Sequence, residues 1–308
     1  MANHGMEQLS GLQREQWNVD GYIILEGALS PEEVEFFSEQ MDRIRMLPGY
    51  EPGQGEVPRG HYAWVDHANP DLESFMDRRD LLPYHQAFID LIDRPNVFDL
   101  IVDIMGPDLQ FSMSQAIVRG GKDGFPGYTH TDGGPGQRRV RVTETSAPIA
   151  VKVMYLLTDI DGPDSGNFTV YPGSHMRAFP IDGERAPHPH GPGAVQLTGK
   201  AGDAFLFPHA LWHGPAPNNT DNGRKTLLYN YSQMFVRWYD YGHVVPEKIL
   251  SKCTPRQKRL LGDLGHDFRP GDYFYVPEDQ EAVIYQNPEI GNSAFFPGGI
   301  TSSWSADT

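Results

Sequence analysis

Two side chains in the stretch Gly127-Tyr128-Thr129-His130-Thr131-Asp132-Gly133-Gly134 carry donor atoms suited to a metal ion. His130 and Asp132 stand two residues apart, and on an extended strand such residues project from the same face. One imidazole nitrogen and one carboxylate oxygen can then fill adjacent coordination positions. A histidine from another strand would complete a set of three and leave the opposite positions open, the arrangement used by non-haem iron(II) oxygenases. His-x-Asp alone is a weak signal in a chain of 308 residues with 12 histidines, so the third partner decides. Two candidates, His209 and His213, fall in the run Gly202 to Gly214. Four residues apart, they share strand parity, and alternation does not separate them. Arg224 lies further on. Its guanidinium is permanently charged and bidentate, and so suited to hold the far carboxylate of a keto-diacid cosubstrate such as 2-oxoglutarate.

The elements that must position these residues are legible in part. Leu9 to Asp20 reads as a short helix closed by Gly21, with a small strand from Tyr22 to Leu25. Ser30-Pro31-Glu32-Glu33 then supplies an N-cap serine, a proline at the first helical position and a glutamate three residues after the cap. Val34, Phe37, Met41 and Ile44 follow at helical spacing, and Pro48 ends that helix. Gly49 to Asp71 reads as loop, and Pro95 to Met105 as a helix stopped by Gly106. From about Asp108 to Val236 the pattern changes to short strands between Gly and Pro turns: Phe111 to Ile117, Ile149 to Leu157, Asn167 to Tyr171, Ala204 to Leu211 and Leu227 to Phe235. Along the first of these, Phe111, Met113, Gln115 and Ile117 are expected on one face. Many short strands of this kind predict a mainly β fold with flanking helices, its core a sandwich or barrel-like jelly roll. One domain spanning 1–308 is the simplest organisation, with a helical layer over 1–107, the β core over 108–236 and a C-terminal extension over 237–308. Thr254-Pro255-Arg256-Gln257 is a further helix start, and Met176 to Lys200 reads as a lid or rim loop.

Several motifs in their order resemble the phytanoyl-CoA dioxygenase family of iron(II)/2-oxoglutarate oxygenases. In that family the distal metal histidine is followed eleven residues later by the cosubstrate arginine, usually with an asparagine between. His213, Asn218 and Arg224 stand at that spacing and His209 does not. Ser165-Gly166 leading to Pro172-Gly173-Ser174-His175 matches the family's turn before the last core strands, and Asp20-Gly21-Tyr22 with Ser30 to Glu33 matches its N-terminal pattern. The resemblance spans roughly residues 9 to 235. It implies a double-stranded β-helix (cupin-like jelly roll) holding iron(II) through His130, Asp132 and His213, with 2-oxoglutarate anchored by Arg224. Dioxygen would be the second cosubstrate, a C–H bond of a small molecule the target, and succinate and carbon dioxide the coproducts. Halogenating relatives lack the carboxylate ligand, so Asp132 argues for hydroxylation or a related oxidation.

There are departures from the family pattern. Pro215 stands where several members place a serine beside the cosubstrate, and Phe168 where a threonine is common. That leaves Gln115 and Lys152, polar residues inside apolar strands, as candidates for the metal-proximal end of 2-oxoglutarate, with an edge position reaching solvent as the plainer account of Lys152. Tyr128 and Trp64 are candidates for contact with substrate, as are His61 and His67, which flank Trp64 and Asp66; Trp238 and Tyr239 add further aromatic surface. His175 reads as a structural residue of its turn, His188 and His190 as solvated loop residues, and Trp212 as packed core on the strand face opposite His213.

The bulk composition narrows the alternatives. A formal net charge of -16 repels phosphate backbones and anionic membranes, so nucleic-acid and membrane partners are not expected. Arg138, Arg139 and Arg141 form a basic run that reads as a solvated rim. The one cysteine, Cys253, allows no internal disulfide. With a polar Met1 to Ser10 and no membrane-length apolar run, a cytoplasmic location is expected. A zinc-dependent hydrolase or isomerase on a cupin-like barrel would share the His-x-Asp and distal histidine but have no use for Arg224. A non-catalytic binding barrel would not consume 2-oxoglutarate.

Overall fold

The computed structural model describes residues 7–46, 64–65, 74–106, 108–133, 147–180, 187–237 and 244–265. Helix α1 (Gly11–Asp20) opens on a Ser10/Gln13 capping box and ends at Gly21, whose φ of 80° is the left-handed value that favours glycine. Strand β1 (Ile23–Leu25) and helix α2 (Pro31–Met46) follow, the helix entered through the expected reciprocal Ser30/Glu33 bonds. Strands β2 (Trp64–Val65) and β3 (Met76–Arg79) come next, then helices α3 (Gln86–Asp90) and α4 (Pro95–Met105). The core strands are β4 (Leu109–Arg119), β5 (Ala150–Leu156), β6 (Phe168–Val170), β7 (Val195–Gln196), β8 (Ala204–Pro208), β9 (His213–Pro215) and β10 (Arg224–Gln233). Short helices α5 (Glu247–Leu250) and α6 (Pro255–Leu260) close the described chain, α6 through a Thr254/Gln257 capping box. No helix among the described residues is long and apolar enough to cross a membrane.

Seven strands form one antiparallel sheet in the order β1-β8-β5-β10-β4-β3-β2, and three form a smaller one, β7-β6-β9. This is a jelly-roll, double-stranded β-helix architecture. Strand alternation divides the large sheet's side chains between two cores. Val151, Val153, Tyr155, Leu227, Tyr229 and Tyr231 face the helices. Met154, Leu156, Phe205, Phe207 and Leu228 face the small sheet and meet Phe168 and Val170 there. Two of the helix-side tyrosines satisfy their hydroxyls on backbone carbonyls, Tyr229 donating to Phe88 at 2.7 Å and Tyr231 to Ile92 at 2.7 Å.

Strict alternation fails in β4. Opposite Asn230/Tyr231 the register jumps from Met113 to Phe111, so Ser112 is the extra residue of a β-bulge. Phe111 therefore packs with Tyr229 and Tyr231 on the helix side, while Met113, Gln115, Ile117 and Arg119 line the interior of the barrel. A purely alternating reading places Phe111 on the wrong face.

Candidate metal centre

His130 and Asp132 do not share a regular strand. His130 makes one bridge to His213, and Asp132 begins a turn whose N–H donates to the carbonyl of His209 at 3.0 Å. The two histidines exchange backbone bonds, His130 N–H to His213 at 2.7 Å and His213 N–H to His130 at 2.9 Å. That pairing requires an unusually close approach. A Cβ on Gly214 would lie 1.8 Å from the Tyr128 carbonyl oxygen, so only glycine lets β9 and the 127–130 segment meet.

The side chains converge as the sequence requires. One ligand atom each from His130, Asp132 and His213 lies within 4.8 Å of the others. His130 Nε2 is 3.7 Å from Asp132 Oδ1, and His213 Nε2 is 3.6 Å from Asp132 Oδ2. His209 is excluded from this cluster: β8 stops at Pro208, and a turn separates it from His213 on β9. The two histidines thus sit on different segments, and the parity argument that left them tied does not apply.

The chemistry of the donors fits a divalent cation. His213 Nδ1 lies 2.7 Å from the Leu211 carbonyl, which fixes the N–H there and leaves the Nε2 lone pair toward the cluster. Burial, only partly opposed by Asp132, pushes the His213 imidazole down to about 3, so it is neutral at ordinary pH. Burial alone would raise the Asp132 carboxyl, but Lys152, His213 and His130 outweigh it and hold the group well below the usual range. Asp132 Oδ2 and His130 Nδ1 are buried without a hydrogen-bond partner. Phe168 and Phe207 pack on the His213 ring at 5.3 and 4.8 Å, so the residue at the family's threonine position walls the ligand instead.

A cavity of about 590 Å³ opens beside the cluster. Arg224, first residue of β10, lines it with 4% exposure. Burial lowers its guanidinium to about 9, with Arg119 adding repulsion, and no ion pair reaches it among the described residues. Asn218 builds the turn that delivers Arg224: its Oδ1 accepts from Thr220 N–H at 3.2 Å and its Nδ2 donates to the Asn222 carbonyl at 2.9 Å.

Gln115 also lines the cavity, its amide donating to Asp77 Oδ1 at 2.8 Å. Lys152 is not at an edge. It lies mid-strand between β8 and β10, opposite Phe207 and Asn230, and its ammonium sits 2.6 Å from Asp132 Oδ1. Tyr128 is half exposed at the cavity wall, its ring 5.1 Å from His130. Of Trp64 only the strand placement, opposite Asp77, is described. His61, Asp66, His67, Arg138, Arg139, Arg141, Trp238 and Tyr239 lie outside the described residues.

Other expectations are settled by packing. His175 is structural: a Cβ on Gly21 would fall 2.3 Å from its Nδ1, and burial lowers its pKa. Trp212 is not core; it is partly exposed under the Arg177 guanidinium, 4.7 Å from its ring centroid. His190 is exposed, as expected of a solvated loop residue, and paired with Asp164 at 2.7 Å.

Sequence reasoning missed several polar residues of the cavity, among them Asp77, Arg79, Arg119 and Asn230, while His209, weighed as a ligand, lines the cavity without joining the cluster. Polar residues interrupting β4 and β10 were a usable signal for Arg119 and Asn230; β3 had no strand pattern to betray it. Among the described residues, five cationic side chains (Arg79, Arg119, Lys152, Arg224 and Arg237) and two anionic ones (Asp77 and Asp132) line the cavity. The basic patch that offsets the acidic chain is therefore internal.

Three buried histidines make the metal-free protein acid-sensitive. His175, His209 and His213 all have pKa values lowered by burial, so the unfolded chain, with His near 6.5, binds protons first. Stability is then full above about pH 6.5 and falls as pH drops toward His213's value of about 3, by up to about 1.4 kcal/mol per pH unit for each group. Asp108, pushed up to about 7 by burial, works the opposite way between about pH 7 and 4. Urea denaturation of the metal-free protein at pH 7.5, 6.5 and 5.5 should show a decline that is steeper in Asp108→Asn; a flat or rising profile in that variant would contradict the burial argument.

The double-stranded β-helix thus brings two histidines and one carboxylate that could hold a metal ion into one cavity with a buried arginine. The phytanoyl-CoA dioxygenase (PhyH) family model matches residues 17–226, and the chain belongs to that family, whose members depend on iron(II) and 2-oxoglutarate. Among characterised relatives, an ectoine dioxygenase of Nocardia farcinica is 26% identical over 249 residues, covering 72% of this chain and 76% of its own. Dioxygenase cdmA of Talaromyces verruculosus is 25% identical over 273 residues, covering 85% of this chain and 84% of its own. The solved structure of HygX from Streptomyces hygroscopicus with nickel and 2-oxoglutarate bound superposes with a TM-score of 0.57 at 22% identity, over 74% of this chain and 89% of that one.

Proposed function

We propose that this dioxygenase uses His130, Asp132 and His213 to hold iron(II), anchors 2-oxoglutarate through Arg224, and oxidises a C–H bond of a small organic molecule of specialised metabolism, by hydroxylation in the first instance. The observation that carries this reading is the pairing of a three-residue ligand cluster with a buried guanidinium that has no ion-pair partner, both facing one cavity. Iron(II), 2-oxoglutarate and dioxygen supply the oxidising power when bound, with succinate and carbon dioxide as coproducts.

The chain's own residues do the rest. Leu211 holds His213 in the tautomer whose free nitrogen faces the cluster. Arg224 would hold the cosubstrate's far carboxylate, and Met154, Phe168, Phe207 and Leu228 give the cavity apolar walls that would exclude water. Gln115 and Lys152, which line the cavity, are assigned to the metal-proximal end of the cosubstrate. Tyr128, with Trp64 on β2, is assigned to the substrate side.

A cavity of about 590 Å³ suits a small molecule. Asp77, Arg79 and Arg119 add charged groups to its wall beyond those assigned to the cosubstrate, which suits a substrate with polar groups. HygX, a structural relative, has been solved with hygromycin B bound, which is in keeping with a polar natural product.

The test is a metabolite-panel screen of iron(II)-loaded protein with 2-oxoglutarate in air. One panel class should raise succinate release well above the substrate-free rate, with oxidised product formed about one for one, and neither should form without dioxygen. Turnover of a substrate that persists without 2-oxoglutarate or dioxygen would instead point to a hydrolase or isomerase.

A further inference from the structure

We propose that Lys152 is a counter-ion built to be displaced: it occupies the metal-binding carboxylate while the site is metal-free and transfers to the cosubstrate when metal and 2-oxoglutarate bind, so coupling the two events. This rests on the oxygenase reading above. The position is unusual for a lysine. It is central in a seven-stranded sheet, 14% exposed, with Ala150 and Met154 as its same-face neighbours on β5. Its ammonium lies 2.6 Å from Asp132 Oδ1, on the carboxylate that completes the three-residue cluster. The other oxygen, Oδ2, accepts no hydrogen bond, and Lys152 is the ammonium paired with Asp132.

A divalent ion held by Asp132 must share that carboxylate with the ammonium. Two cations on one carboxylate in a buried site repel strongly, so metal uptake alone is penalised. An anionic ligand bound at the metal changes the balance by offering Lys152 a second carboxylate. The first carboxylate of 2-oxoglutarate, next to its keto group, is such an anion, while Arg224 grips the other end. Each ligand then favours the other, and by linkage the effect is reciprocal. Couplings of this kind typically amount to about 5- to 150-fold.

Calorimetric titration of the full-length protein with nickel(II), with and without 2-oxoglutarate, tests this without turnover. In Lys152→Met, nickel alone should bind about tenfold more tightly than in the wild type, and the factor by which 2-oxoglutarate tightens nickel should shrink about tenfold. Lys152→Gln, which keeps a donor without the charge, should behave the same way and covers the case where Lys152→Met does not fold. As a second readout, nickel alone should raise the melting temperature of the variants by more than it raises that of the wild type. Unchanged or weaker nickel binding in the variants, or wild-type coupling, would overturn the proposal while leaving the metal site intact. A wild type that takes up no nickel would overturn the metal site and this proposal together.

Discussion

Arg224→Ala should raise the dissociation constant for 2-oxoglutarate by a factor of tens to thousands while leaving the metal-free protein as stable as before, or more so. The two halves have one cause. Arg224 is 4% exposed, at the first position of β10, with Arg119 opposite it in register and no carboxylate paired to it among the described residues. A buried charge without a partner is a cost to the folded state, so its removal relieves the fold. Once a dicarboxylate is bound, the same guanidinium has its partner, and truncating one member of a buried charge pair costs about 2–5 kcal/mol. Arg224→Lys keeps the charge but loses the bidentate fork, and should fall between the two. Chemical denaturation and calorimetric titration of 2-oxoglutarate onto the nickel-loaded protein check both halves. A variant that loses stability but keeps wild-type affinity for 2-oxoglutarate would show Arg224 to be a packing residue.

Asp132→Ala should weaken divalent-metal binding by at least about 100-fold, since even changes to groups that merely orient metal ligands cost about 10- to 100-fold. It should also destabilise the metal-free protein, which a pure ligand role would not. Lys152 would keep its ammonium at 14% exposure with its 2.6 Å partner gone, and orphaning one member of a buried pair costs about 3–5 kcal/mol. The double variant Asp132→Ala/Lys152→Met should therefore recover much of the stability and none of the metal affinity. Metal titration and urea denaturation of the three proteins separate the roles. Full metal occupancy in Asp132→Ala would remove the carboxylate from the ligand set.

How far the sequence led depends on what each residue's role requires. The capping boxes at Ser30 and Thr254 and the stop at Gly21 were readable because helix ends are satisfied by local side chains and backbone. The strands β5 and β10 were readable because each is long, rich in apolar residues and mostly buried on both faces. By contrast β2, β7 and β9 have two or three residues each and exist only through their partners, so no local pattern could reveal them. The bulge at Ser112 was invisible for the same reason, being a property of the β4–β10 pair.

At the site, the residue types were legible and the geometry behind them was not. His130 and Asp132 converge through a bridge and a turn, where strand alternation had been the expected reason. His213 was separable from His209 only by its spacing to Arg224, because the turn at 209–210 that carries the chain from β8 in the large sheet to β9 in the small one sits inside a mostly apolar run, Phe205 to Trp212. Lys152 looked like an edge residue since nothing local states that β5 is flanked on both sides.

The most direct test of the account is anomalous scattering from crystals grown with nickel(II) and 2-oxoglutarate. A single metal peak bonded by His130, Asp132 and His213 is expected, with the keto-acid end of 2-oxoglutarate on the metal and its far carboxylate on the Arg224 guanidinium. A metal peak elsewhere, or 2-oxoglutarate lying away from Arg224, would contradict it.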